Sequence, residues 1–227
     1  MPDRSSAALA APRGVSLAVD VVSFTPRGAE LSVLISAAKR PRERAGLPSD
    51  TLRPDESLDD AAARIARDAL GAAPSLLDQV GARGGTRRTV DGSAQVIVTY
   101  FGLVPETTAS SRDVAWSPLS SVSSLPARQR DEVDAALAAI RAQIDRQPIA
   151  FRLLPSTFTL SELQAVYEML LGRRLHKASF RRSLHAAALV EATDEWRSEG
   201  RGRPAQLFRY APRRRRRARR GVRFDLL

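Results

Sequence analysis

The sequence predicts an α+β chain in two units, on three observations. Charge is divided unevenly. Residues 1–149 hold 18 Lys and Arg against 18 Asp and Glu, whereas residues 150–227 hold 18 against 7, so the last third carries the whole net charge of +11. Strand-like and helix-like periods alternate before residue 149, and a short helix–turn–helix–hairpin order follows it. Apolar residues make up 43% of the 227 positions, enough for a packed core, and an aromatic share of 5% makes that core aliphatic. A neutral body joined to a cationic module disfavours a plain metabolic enzyme and favours a polyanionic partner.

Other classes fall away quickly. The chain has no Cys, which excludes disulfides, thiolate metal sites and a Cys nucleophile. No apolar run approaches the ~18 residues of a membrane span. Ala7–Ala11 is shorter than the roughly 7–15 apolar residues of a secretory signal, so a cytoplasmic protein with no membrane partner is expected. Arg outnumbers Lys 34 to 2 and Ala is abundant, the mark of a GC-rich bacterial coding genome.

Residues 1–13, rich in Ala and Pro, read as a disordered N-terminus. Val15–Phe24 and Leu31–Ala37 read as strands joined by a turn at Pro26–Gly28. The polar stretch 39–57 reads as a loop. Leu58–Leu70 has helical spacing at Leu58, Ala62, Ile65 and Ala69, with Ser57 as N-cap, Asp59 and Asp60 in the first turn, and Gly71 as terminator. Leu76–Arg83 and Ala94–Val104 read as two more strands, and residues 105–112 as a loop. Asp131–Gln143 reads as a helix with Val133, Leu137, Ile140 and Ile144 on one face. Pro148 and Pro155 bracket a boundary near residue 149, giving units 14–149 and 150–212.

The second unit is well punctuated. Thr159 and Glu162 fit a capping box, Leu160, Leu163, Val166, Tyr167, Leu170 and Leu171 fill a core face, and Gly172 ends the helix. The next helix, Lys177–Leu189, buries Phe180, Leu184, Ala187 and Ala188 and presents Lys177, Arg181, Arg182 and His185 from the neighbouring side. Cations on such a helix can enter the DNA major groove and read guanine edges or bind phosphate. Residues 191–211 then read as a hairpin whose tip is Gly200-Arg201-Gly202-Arg203-Pro204. Glycine allows close backbone approach, so that Arg201 and Arg203 can enter a narrow minor groove. The order is that of a winged helix-turn-helix. Residues 213–227 form an Arg-rich tail with eight Arg between 213 and 223, expected to be disordered and to add phosphate contacts without sequence choice.

A motif of another kind lies in the first unit. Leu47-Pro48-Ser49-Asp50 leads to Glu56, seven residues follow, and Arg64 and Gly71 fall in place. This resembles the Nudix signature, a loop-helix-loop of diphosphate hydrolases that act with Mg²⁺. The departures are chemical. Asp50 stands at the box glycine, and Ile65, Asp68 and Ala69 stand at the three Glu positions that supply metal ligands and base.

A Nudix-like unit followed by a winged helix resembles the Nudix-related transcriptional regulators (NrtR-like). The likeness is strongest in Phe158–Leu171, Phe180–Leu184, Gly202–Ala205 and Leu207–Tyr210, with Trp116-Ser117-Pro118 as a further shared segment. It implies an α/β/α sandwich with a mixed sheet, followed by a winged helix-turn-helix. It further implies a homodimeric repressor on a palindromic double-stranded operator, controlling NAD or related nucleotide or sugar metabolism in response to ADP-ribose or a similar effector. DNA contacts then fall to Lys177, Ser179, Arg181, Arg182, His185, Arg201 and Arg203, and effector contacts to Arg42, Arg44, Arg53, Glu56 and Arg64. No catalytic residue, metal or cofactor is expected. Two other classes stay open: a Nudix pyrophosphohydrolase with a DNA-binding appendage, and a nonspecific nucleic-acid-binding protein.

Overall fold

The computed structural model describes residues 14–38, 45–88, 93–106, 113–198 and 204–211, with backbone alone for 85–88. Strand β1 (Val15–Arg27) turns directly into β2 (Glu30–Ser36). The turn is the two-residue Gly28–Ala29, later than the Pro26–Gly28 expected, and the strand runs through Pro26. Gly28 has φ 59, which a two-residue hairpin asks of its first loop position. The parallel ladder on the other side of β1 ends at Phe24, so Pro26 has one neighbouring strand, where proline is tolerated.

The stretch 39–57 is not all loop. It contains β3 (Ser49–Thr51), which pairs with Ala18–Asp20 of β1. Helix α1 (Leu58–Leu70) has the expected bounds and caps, with Ser57 Oγ accepting from Asp60 N at 3.1 Å and Gly71 left-handed at φ 73. Strand β4 (Leu76–Arg88) is longer than expected, β5 (Ala94–Leu103) follows, and β6 (Val114–Pro118) completes the sheet. Helix α2 (Ala127–Ile144) begins a full turn before the expected Asp131, directly after Pro126. Its first turn, Ala-Arg-Gln-Arg, has no apolar periodicity to announce it.

The sheet order is β4-β5-β1-β2-β6, with β1 and β5 parallel and the other pairs antiparallel. This is the mixed sheet expected. Alternation along the strands sends Val19, Val21, Val98 and Tyr100 to α1 on one face. It sends Val22, Phe24, Phe101 and Leu103 to α2 on the other, which makes the α/β/α sandwich.

A buried 3₁₀ turn at Ile149–Leu153 leads to β7 (Thr157–Phe158) and α3 (Leu160–Leu171). The capping box is present: Thr159 N donates to Glu162 at 2.6 Å and Glu162 N donates to Thr159 Oγ1 at 3.1 Å. Helix α4 (Lys177–Ala187) stops before the expected Leu189, because Ala188 adopts φ 50. Strands β8 (Val190–Arg197) and β9 (Ala205–Tyr210) form the hairpin, and β7 joins them in the order β7-β9-β8. The added β7 completes a winged helix.

Charge balance changes near residue 149, but packing does not break there. One apolar cluster joins Val22 and Val33 of the sheet to Ile140 and Ile144 of α2, and runs on to Leu163, Leu170, Phe180 and Leu184.

Candidate functional site

The exposed side of α4 follows from what the other side buries. Phe180 is 1% and Leu184 0% exposed, and full burial stabilises by about 1.5–3 kcal/mol each. That fixes the helix's rotation, so Lys177, Ser179, Arg181, Arg182 and His185 all face solvent. Phe180 meets the buried ring of Tyr167 edge-on at 5.6 Å, which locks α4 against α3. Among the described residues, no side-chain capping bond is made at His176, the N-cap of α4, whose first-turn backbone N–H groups have no intrahelical partner.

The turn between α3 and α4 is held by Glu168. Its carboxylate accepts from Leu175 N at 2.9 Å, Gln164 Nε2 at 2.9 Å and Arg174 at 3.0 Å. Burial opposes the ionisation of Glu168, and these three donors outweigh it, holding the carboxyl below its usual range. Arg173 beside it is exposed. Sequence reasoning passed over this turn, although Gly172-Arg173-Arg174 directly before a cationic helix was the available signal.

The hairpin is tied back to α3 by Arg197, which donates to Glu162 at 2.6 Å. Glu162 thus serves both the capping box and the wing. Trp196, at 57%, is the most exposed aromatic side chain among the described residues. Arg201 and Arg203, together with the tail at 213–227, lie outside the described residues.

The Nudix-like segment forms a clamp. Arg64 donates to Glu56 through Nε at 2.7 Å and Nη2 at 2.9 Å, and to Asp50 through Nη1 at 2.6 Å. Glu56 also accepts from Arg53 N at 3.1 Å. The Arg64 bonds hold the Glu56 carboxyl down at about 2. Two expected effector residues, Glu56 and Arg64, therefore meet each other and shape the loop. Arg53 remains largely exposed, 3.9 Å from Asp50. Arg42 and Arg44 lie outside the described residues. On α1, Ile65 and Ala69 are buried against the sheet and Asp68 is exposed. Among the described residues, no three His, Cys, Asp or Glu side chains gather to hold a metal ion.

Opposite α1, under α2, lies a polar cluster that sequence reasoning missed. Asp20 of β1, 1% exposed, accepts from Ser49 Oγ at 2.5 Å and Arg128 Nη1 at 2.7 Å. The same Arg128 nitrogen lies 2.5 Å from Glu132, also 1% exposed. Burial and the neighbouring Asp20 charge push Glu132 up to about 7, against the pull of Arg128. A charged residue inside the apolar run Leu17–Phe24 was the signal available.

Comparison with known proteins agrees with this architecture. Residues 150–210 match the family model of the NrtR DNA-binding winged helix domain. The chain is 29% identical over 206 residues to the ADPR responsive transcriptional repressor NtrR of Acinetobacter baylyi, covering 86% of this chain and 82% of that protein. It superposes on Shewanella oneidensis NrtR, solved in complex with a 27mer DNA, with a TM-score of 0.76 and 30% identity, over 86% of this chain and 94% of that one. A MutT/nudix family protein from Enterococcus faecalis shares the fold, with a TM-score of 0.66 at 18% identity, over 89% of each chain. Identity at the level of the Shewanella protein across nearly the whole of its chain, together with the shared order of sandwich and winged helix, places this protein in the NrtR family.

Proposed function

We propose that this protein is a sequence-specific DNA-binding transcriptional repressor whose Nudix-like unit senses ADP-ribose or a similar ligand and does not hydrolyse it. The observation that carries the reading is the face of α4. Lys177, Ser179, Arg181, Arg182 and His185 are all exposed on the second helix of a winged helix. That surface suits a major groove and its flanking phosphates. The similar proteins support it: one was solved with DNA, and another is named for repression in response to ADPR.

The units divide the work. Residues 14–149 form the sensor and dimerisation body, residues 150–212 the reader, and residues 213–227 an electrostatic tail. Arg201 and Arg203 enter the minor groove from the wing. A homodimer presents two readers to the halves of a palindromic operator. Arg42, Arg44 and Arg53 meet the effector's diphosphate, while Glu56 and Arg64 hold the loop that shapes its site. The regulated genes serve NAD or related nucleotide or sugar metabolism, and the protein works in the cytoplasm at the nucleoid.

The non-catalytic reading is supported by Ile65 and Ala69, apolar and buried where a Nudix enzyme needs carboxylates. Genome-wide footprinting tests the whole: a few sharp palindromic sites, weakened by ADP-ribose, are expected. Diffuse coverage overturns the regulator. Mg²⁺-dependent release of AMP from ADP-ribose, abolished in Asp68→Ala, overturns the non-catalytic reading.

A further inference from the structure

Helix α2 holds the Nudix-like loop at one end and the winged helix at the other. At its first turn, Gln129 Oε1 accepts from Leu47 N at 3.2 Å. Gln129 lies close against Gly46: a Cβ there would stand 2.8 Å from its Oε1 and would push the Gln129 amide off this position. Arg128, one residue earlier, reaches the same loop through Asp20, which receives the Ser49 hydroxyl. The loop is thus gripped at Gly46, Leu47 and Ser49, just before Asp50 enters the Arg64 clamp.

The far end makes an equally specific contact. Arg141 Nε donates to the carbonyl of Leu170 at 2.9 Å, in the last turn of α3. Its Nη2 lies 3.0 Å from where a Cβ on Gly172 would sit, at the start of the turn into α4. Ile140 and Ile144 pack in one cluster with Leu163 and Leu170. An 18-residue helix spans ~27 Å and moves as a stiff rod on the scale of these contacts. A small shift at its first turn therefore reaches α3 with little loss.

We propose that α2 is the coupling element between the Nudix-like loop and the DNA-reading helices, with Gln129 and Arg141 as the positioning residues at its two ends. Neither residue touches DNA or effector in this scheme. Each acts through the backbone it holds, Leu47 N for Gln129 and Leu170 O for Arg141. The proposal rests on the functional reading above for the identity of the effector and goes beyond it in naming the link.

The test uses the full chain and four proteins: wild type, Gln129→Met, Arg141→Met and Arg141→Lys. In Gln129→Met the side chain keeps its length and loses the polar contact; Arg141→Met is shorter and loses its donor, and lysine restores a donor. Operator affinity is measured with and without saturating ADP-ribose. The wild type is expected to lose about tenfold in affinity with the ligand, within the usual range for coupled sites. Both Met variants are expected to bind operator within about twofold of wild type without ligand and to lose most of the response, with Arg141→Lys recovering it. A wild type that responds while both Met variants respond equally overturns the proposal. A wild type with no response overturns the functional reading instead, and a second measurement then decides the link. Amide hydrogen exchange, which needs no effector, should show faster exchange across Leu160–Leu171 in Gln129→Met. A change confined to residues 45–51 and the first turn of α2 overturns the coupling role.

Discussion

Arg64 and Glu56, eight residues apart, meet in a two-point hydrogen bond at 2.7 and 2.9 Å and close the loop that precedes α1. The pair has an acid limit. The Glu56 carboxyl sits at about 2, below its ordinary 4.5, chiefly because Arg64 donates to it. A carboxyl with a lowered folded value contributes stability fully above about 4.5, and the contribution disappears as pH falls through about 2. Thermal melts between pH 5 and pH 2 should show wild type losing more stability than Glu56→Gln. Parallel curves would remove Glu56 from the account of the loop.

Glu132 works in the opposite direction. Its folded value is raised from 4.5 to about 7, first by burial and then by Asp20, with Arg128 pulling the other way. The stability linked to the protonated form is fully present below about 4.5 and is lost as pH rises through about 7. Each tenfold difference in proton affinity between the folded and unfolded chains is worth about 1.4 kcal/mol. Glu132→Gln keeps the shape and removes the titration, so its melting temperature should vary less than that of wild type between pH 5 and pH 8. Equal pH dependence in the two proteins would show that Glu132 does not titrate there.

Arg181 faces solvent beside two other cations on α4. Arg181→Ala should cost specific binding about 1–3 kcal/mol, the range for a good bidentate base contact, and cost random duplex much less. Mobility-shift titrations on both duplexes decide it. Equal losses would make Arg181 a phosphate contact.

The Arg-rich tail makes a separate prediction. Deleting residues 213–227 should lower the slope of log affinity against log salt by about 0.9 for each phosphate that the tail neutralises. Titrations of both proteins between about 50 and 200 mM salt read the slope. An equal slope with and without the tail makes it a bystander.

Ala188 holds φ 50 at the C-terminal end of α4, a conformation that costs a non-glycine residue about 1–2 kcal/mol. Ala188→Gly should therefore raise stability by up to about 1 kcal/mol, after the entropy glycine adds to the unfolded chain. Calorimetry reads it directly, and a lower melting temperature would contradict the strain.

What was legible in the sequence was local. Ser57, Gly71, Thr159, Glu162 and Gly172 act on backbone within a few residues, so α1 and α3 could be bounded closely. Strands β3 and β7 have three and two residues, too few to show a period. The first turn of α2 is polar because its partners are Asp20 and Leu47 N, 108 and 82 residues away. The face of α4 was readable because Phe180 and Leu184 fix it from within the helix. The pairing of Glu56 with Arg64 was not, since spacing places both near one loop without saying that they meet.

The apolar cluster that runs unbroken from the sheet through α2 into α3 and α4 bears on how portable the reader is. Residues 150–210 match a DNA-binding domain as a unit of sequence. Cut out as a unit of matter, they would bare the surface of α3 that Ile140 and Ile144 now cover, an apolar face of the kind that makes fragments associate. A graft onto another sensor would have to carry α2 along as its lining.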